Sequence, residues 1–200
     1  MINKMIAISI VLLLFIPAIT ISAAQQYEVK HGDTLWKISV WHKIGLSEII
    51  EANEQIPNPD LIYPGQIVTI PDIDHIKKIE HQVIQYTNQE RQKHGLAPLK
   101  PDWQLSRVAR YKSTDMMKQG YFSHTSPTYG SPFKMMRDFN ISYQAAAENI
   151  AKGQTTPYAV VKAWMESPGH RANILNGKYT HIGVGYVSEG NYWTQLFVSK

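Results

Sequence analysis

Residues 164–175 read Trp-Met-Glu-Ser-Pro-Gly-His-Arg-Ala-Asn-Ile-Leu, and three further blocks stand around them. Tyr-Phe-Ser-His-Thr-Ser-Pro occupies 121–127, Ala-Glu-Asn-Ile-Ala 147–151, and Gly-Val-Gly-Tyr followed by Tyr-Trp-Thr-Gln falls within 183–195. A helix from about Pro157 to Met165 leads into a loop that carries His170 and a turn over Arg171 to Leu175. Downstream, Ile182 to Val187 and Asn191 to Val198 read as a hairpin of two strands with Glu189-Gly190 at its turn. Upstream, Glu148 sits in a strand and a short helix covers Pro132 to Phe139. Earlier still, Ile76, Ile79, Val83, Ile84 and Tyr86 recur at helical spacing until Gly95 ends the pattern. A second helix begins at Asp102, as cap, and runs through Leu105, Val108, Ala109, Tyr111, Met116 and Met117 to Gly120. The expected class is α+β.

In order and wording these blocks resemble the CAP superfamily, the secreted domain shared by cysteine-rich secretory proteins, antigen-5 allergens and plant pathogenesis-related proteins. The resemblance covers about residues 78–200. It implies an α-β-α sandwich, a central antiparallel sheet covered by helices on both faces. It also implies that His124 and His170 hold a divalent cation such as zinc, with Glu148 orienting water nearby. Spacing alone would say little, because 46 residues separate the two histidines and no His-Glu-x-x-His helix exists. Asn88 and Arg91 match the family's Asn-x-x-Arg and read as structural. Larger members carry a second glutamate where this chain has Ser167, and Glu166 stands one position earlier, turned by about 100° on a helix. The site is therefore assigned to His124, Glu148 and His170. These are also the catalytic candidates if the domain is a wall hydrolase or metal-dependent peptidase, with Glu148 as general base. Glu148 and Glu166 form the alternative glycosidase pair. Nothing in the sequence activates Ser123, Thr125 or Ser126 as a nucleophile.

Residues 27–71 form a second, smaller pattern. Tyr27 and Val29 alternate as a short strand, and Asp33 can cap a helix with Leu35, Trp36 and Ile38 facing inward. Another short helix follows, capped by Ser47 and carrying Ile49, Ile50 and Ala52. Pro64-Gly65 makes a turn, and Ile67-Val68-Thr69-Ile70 returns as the second strand. This β-α-α-β unit resembles a LysM domain along its whole length. The resemblance implies binding of N-acetylglucosamine polymers, peptidoglycan or chitin, in a shallow groove between two loops. The first loop is Gly32, Asp33 and Thr34; the second is Pro59, Asp60, Leu61 and Ile62. Trp36 reads as core, and Asp33 reads equally well as a helix cap. The phrase from Asn58 to Gln66 also resembles LysM units of spore-envelope proteins. Residues 72–77 form a short polar linker, so the two units are expected to sit close together.

Lys4, an apolar run from Met5 to Ile21 and Ser22-Ala23-Ala24 have the layout of a secretory signal peptide over residues 1–24. Export to the cell wall is the expected location, with the spore envelope as a variant of it. The chain has no cysteine, which excludes disulfides and every cysteine-nucleophile peptidase. Residues 25–71 hold three Lys and Arg against six Asp and Glu, whereas residues 72–200 hold sixteen against ten. A mildly basic second domain is drawn to anionic wall polymers or lipid headgroups. A solvated surface with some excess lysine explains the same count, and it is the CAP resemblance that implies lipid or protein ligands for that domain. No basic run is interleaved densely enough with aromatics to argue for nucleic acid.

Overall fold

The computed structural model of the protein describes residues 24–200, so the expected signal peptide lies outside the described residues apart from Ala24. The small unit opens with strand β1 (Gln25–Glu28), followed by helices α1 (Leu35–Trp41) and α2 (Leu46–Glu51) and strand β2 (Ile67–Ile70). β1 and β2 pair antiparallel, Gln25 opposite Ile70 and Glu28 opposite Ile67. Val29, Leu35, Ile38, Ile44, Ile49, Ile56, Val68 and Ile70 fill the space between sheet and helices. Asn53 locks that closure: its amide donates to the carbonyls of Ile49 (2.7 Å) and Thr69 (2.8 Å) and accepts from Thr69 N (2.8 Å).

Three local expectations for this unit are corrected. Thr34, not Asp33, caps α1, accepting from Lys37 N at 3.1 Å. Asp33 instead turns back to accept from Lys30 N (2.8 Å) and the Tyr27 hydroxyl (2.9 Å). Trp36 is 55 % exposed. On a helix of seven residues, Leu35 and Ile38 take the whole inward stripe, and position 36 is turned away from it. Ser47 lies inside α2, whose N-cap is Gly45 and which has no side-chain cap within its own unit.

Helix α3 (Asp74–Lys93) begins inside the stretch read as linker, which leaves Pro71, Asp72 and Ile73 as the connection. There follow β3 (Lys100–Pro101), α4 (Trp103–Lys118), α5 (Pro132–Asp138), β4 (Ala145–Lys152), α6 (Pro157–Glu166), α7 (Pro168–Ile174), β5 (His181–Val187) and β6 (Tyr192–Ser199). Asp102 caps α4, accepting from Gln104 N and Leu105 N. The stretch from Arg171 to Leu175, read as a turn, belongs to helix α7, which starts at Pro168.

The sheet order is β3-β5-β6-β4, with only the short β3 parallel to its neighbour. Alternation along β5 and β6 separates two cores. Ile182, Val184, Tyr186, Trp193 and Phe197 face α3 and α6, where Val83, Ile84, Val160, Val161 and Trp164 cover them. Leu196 and Val198 face α4 and α5, against Leu105, Val108, Ala109, Met135 and Met136. This is the expected α-β-α sandwich. Gly183 and Gly185 point at α4, where an added Cβ would lie 2.4 Å and 2.1 Å from helix backbone atoms. The two glycines let α4 settle directly on β5, and Ser113 there donates to the Gly185 carbonyl at 3.1 Å.

Asn88 and Arg91 are structural, as read. The Asn88 side chain exchanges two hydrogen bonds with the Leu99 backbone. Arg91 donates to the carbonyls of Ala97, Ile174 and Asn176, which ties α3 to the loop after α7. Among the described residues no helix is long and apolar enough to cross a membrane.

Candidate functional site

The loop between α4 and α5 carries His124, and two buried charges on α4 shape that loop from beneath. Lys112, 1 % exposed, directs its ammonium to the Tyr121 hydroxyl (3.1 Å) and to the carbonyls of Ser123 (2.7 Å) and His124 (3.0 Å). One turn on, Asp115 accepts from Ser126 Oγ and Thr128 Oγ1, both at 2.6 Å, and from the Tyr121 hydroxyl. A helix face that pairs Lys112 with Asp115 thus fixes a loop that has little core of its own. Burial pushes the Lys112 pKa down, while Glu148 and Asp115 pull it back up. Neither residue stands out by period, because α4 is polar at many positions and also buries Arg107, Arg110 and Ser113. Ser126 is thereby engaged as a donor to Asp115.

The loop places His124 Nδ1 2.7 Å from Glu148 Oε1. The imidazole is about half exposed, with 53 % of its side chain accessible, whereas the Glu148 side chain is 2 % exposed. Burial raises the Glu148 pKa above the ordinary carboxyl value, and the His124 hydrogen bond and the charge of Lys112 partly offset it. Glu148 Oε2 is buried without a hydrogen-bond partner. A carboxylate behind a histidine orients the ring, and with Nδ1 turned to Glu148 the Nε2 atom lies on the other side of the imidazole.

His170 lies on α7, at the edge of the sheet formed by β4. Its pKa is lowered, first by burial and then by repulsion from His124. A chain of buried amides sets its backbone: Asn149 Nδ2 donates to the His170 carbonyl (3.2 Å) and to Gln195 Oε1 (3.0 Å). Asn173 Nδ2 donates to Asn149 Oδ1 (2.9 Å), and Gln195 Nε2 to Thr87 Oγ1 (2.8 Å). Asn149 was visible only as the neighbour of Glu148 in its block, and its role depends on partners in α3, α7 and β6.

Two neutral imidazoles suit zinc, but Glu148 Oε1 is already committed to His124. Among the described residues no three His, Asp or Glu side chains are arranged as a metal cage. The ring nitrogens of His124 and His170 are the donors this site offers a cation, with Glu148 behind the first ring. Glu166 is elsewhere. It is exposed beside Lys162 and lines a groove between α3 and α6 with Tyr86, Lys93, Tyr158 and Arg171. The glycosidase pairing of Glu148 with Glu166 is not assembled there, because Glu148 is buried beneath His124.

In the small unit, Val29 N donates to the Gln66 carbonyl and Gly65 N to the Val29 carbonyl, both at 2.9 Å. These bonds bring the loop before β2 alongside the loop after β1. Gly32 and Thr34 are exposed on the first, and Asp33 is half-buried and held by Tyr27. On the second, Asp60 and Leu61 are exposed, Pro59 is half-buried, and Ile62 packs against the core. Leu61, 51 % exposed, offers an apolar surface between polar backbone groups.

Residues 84–199 match the model of the cysteine-rich secretory protein family, CAP, and residues 27–71 match that of the LysM domain. The Bacillus subtilis protein YkwD is 61 % identical over 125 residues, which cover 62 % of this chain and 49 % of YkwD. The crystal structure of an extracellular SCP-domain protein from Bacillus anthracis is 36 % identical with a TM-score of 0.60, covering 68 % of this chain and 47 % of that one. The small unit alone is similar to the secreted LysM effector ECP6 of Passalora fulva, 51 % identical over 45 residues (22 % of this chain, 20 % of ECP6). It is also 42 % identical over 43 residues to the spore coat assembly protein ExsA of Bacillus cereus (22 % of this chain, 7 % of ExsA). The chain spans less than half the length of YkwD and of the Bacillus anthracis protein. With a LysM domain ahead of its α-β-α sandwich, this chain belongs to the cysteine-rich secretory protein family, CAP.

Proposed function

We propose that this is an exported, wall-associated binding protein. Its LysM domain holds an N-acetylglucosamine polymer such as peptidoglycan, and its CAP domain offers the His124, Glu148 and His170 site to a further ligand, a lipid or a protein. The observation that carries this reading is the LysM match over residues 27–71, with its two loops side by side and Leu61 exposed between polar groups. LysM domains bind N-acetylglucosamine polymers, so Gly32 to Thr34 and Pro59 to Ile62 are the residues assigned to the glycan. Wall location is supported by the leader-like first 24 residues and by the extracellular Bacillus anthracis relative. Similarity of the LysM unit to ExsA supports the spore envelope as a site of use.

At the CAP site a divalent cation, zinc by ligand type, would rest on Nε2 of His124 and on the His170 ring. It would supply an electrophilic centre for an anionic or carbonyl group of the ligand. The protein's own contribution is clearer. Glu148 orients His124, and burial lowers the His170 pKa, which favours the neutral ring that can accept a hydrogen bond or a metal.

The test is co-sedimentation of residues 25–200 with purified peptidoglycan, with a soluble N-acetylglucosamine tetramer as competitor and zinc uptake measured by equilibrium dialysis. Sedimentation that the tetramer abolishes, and zinc uptake lost in His124→Ala, are the expected results. Wall binding that the tetramer leaves untouched would overturn the LysM assignment. Release of soluble wall fragments would replace the binding role with a hydrolytic one.

A further inference from the structure

Helix α2 of the LysM domain lacks a side-chain cap of its own, yet its first amides are not left open. Leu46 N donates to the hydroxyl of Tyr111, a residue of α4 in the CAP domain, and the Tyr111 hydroxyl also meets the amide of Ser47. Tyr111 is 6 % exposed, with its ring packed on Phe139 at 5.1 Å between centroids, so the hydroxyl is presented from a fixed base. Uncapped N-terminal amides of a helix require an acceptor, and here it comes from the neighbouring domain.

Gly45 records how close this approach is. Its backbone, φ −81 and ψ 159, suits any residue, so conformation does not call for glycine. Space does: an added Cβ would lie 2.7 Å from Tyr111 Cε1 and closer still to the Glu48 carboxyl. Glu48 itself faces the 7 %-exposed Arg110 side chain at 3.3 Å, and Arg110 reaches Glu80 of α3 at 3.3 Å. Glu80 in turn accepts from the Tyr186 amide of β5, so the chain of contacts runs from the LysM domain into the central sheet. Glu51 pairs with Lys118 one helix length along the same seam.

We infer that α4 is the docking surface of the LysM domain, with Tyr111 serving as the missing cap of α2, so that LysM and CAP domains form one cooperative body. The glycan-binding loops are then held at a set orientation to the CAP domain, and do not swing on the three residues that join them. Because α4 also carries Lys112 and Asp115, one helix both seats the LysM domain and shapes the His124 loop. The inference adds to the proposed function and depends on it only for the glycan.

Amide hydrogen exchange of residues 25–200 tests it without any ligand. In the wild type, Leu46 and Ser47 should be protected, and Tyr111→Phe, which keeps the ring, should lower that protection roughly tenfold. Glu48→Gln, on the LysM side of the seam, should loosen the same amides by a smaller factor, and the amides of β6 should be unaffected by either change. Unchanged exchange at Leu46 and Ser47 in Tyr111→Phe would overturn the inference, as would two separate unfolding transitions in the wild type. A separate titration with N-acetylglucosamine tetramer reads the glycan assignment, so failure of that assignment leaves this outcome intact.

Discussion

Glu80 is a carboxyl buried where three elements meet, and replacing it with glutamine should flatten the protein's stability on the alkaline side. Its side chain is 4 % exposed, and burial drives its pKa from an ordinary 4.5 to about 8. Arg110, the Tyr186 amide and Lys77 oppose that shift, and Glu48 adds to it. The folded state therefore retains a proton that the unfolded chain releases above pH 4.5. The sign follows: between pH 4.5 and about 8 the unfolded form binds fewer protons, so stability falls as pH rises. Each pH unit inside the window costs ~1.4 kcal/mol, and the full shift sets a ceiling of roughly 5 kcal/mol, which rearrangement of Arg110 and entry of water reduce. Glu80→Gln keeps an acceptor for Tyr186 and never ionises. Urea unfolding of both proteins at pH 5, 6, 7, 8 and 9 gives the test, since other titrating groups cancel in the difference. The wild type should lose ground steadily to the variant from pH 5 to 8 and level off above. Parallel curves would refute the reasoning by showing that Glu80 is charged in the folded protein near neutrality.

Further outcomes can be measured on the same material. Gly185→Ala should cost about 3 kcal/mol or more, read as a fall in Tm, because its Cβ would meet the backbone of Ala109 and Arg110. Gly169→Ala, with nothing within 4 Å of the new carbon, should leave Tm within a degree or two of the wild type. The imidazole of His170 should titrate below the usual 6.5 by NMR and move up in His124→Ala, because part of its depression comes from His124. Asn149→Ala should destabilise the fold by about 1–3 kcal/mol in urea unfolding, because Gln195 Oε1 and the His170 carbonyl both lose the amide that donates to them.

The amphipathic helices and the paired strands were legible because their signals are local. Asp102 as cap of α4, and the separation of Ile182, Val184 and Tyr186 from Gly183 and Gly185, follow from period and turn chemistry alone. Thr34 and Ser47 were harder, since several neighbouring polar residues compete for one cap and the tertiary contact decides. The exposure of Trp36 is not legible in the sequence, because hydrophobicity marks what a residue tolerates and not which way a two-turn helix faces. At the site, His124 and Glu148 stood out through their blocks, and the structure places them in contact. Lys112, Asp115 and Asn149 did not stand out. Their function lies in partners 6 to 46 positions away, and a buried polar side chain carries no periodic mark of its satisfied neighbours.

The order of the central sheet has a consequence for when this protein can fold. β5 and β6, the last two strands in the chain, are its middle pair, with β3 and β4 outside them. Until those final residues leave the ribosome, α3, α4 and α6 have no surface on which to bury their apolar stripes. Arg91 likewise waits for carbonyls at Ile174 and Asn176. Such a topology, rich in contacts between distant positions, makes early compaction unprofitable. A chain built this way cannot close the core of its CAP domain before β5 and β6 are in place between β3 and β4.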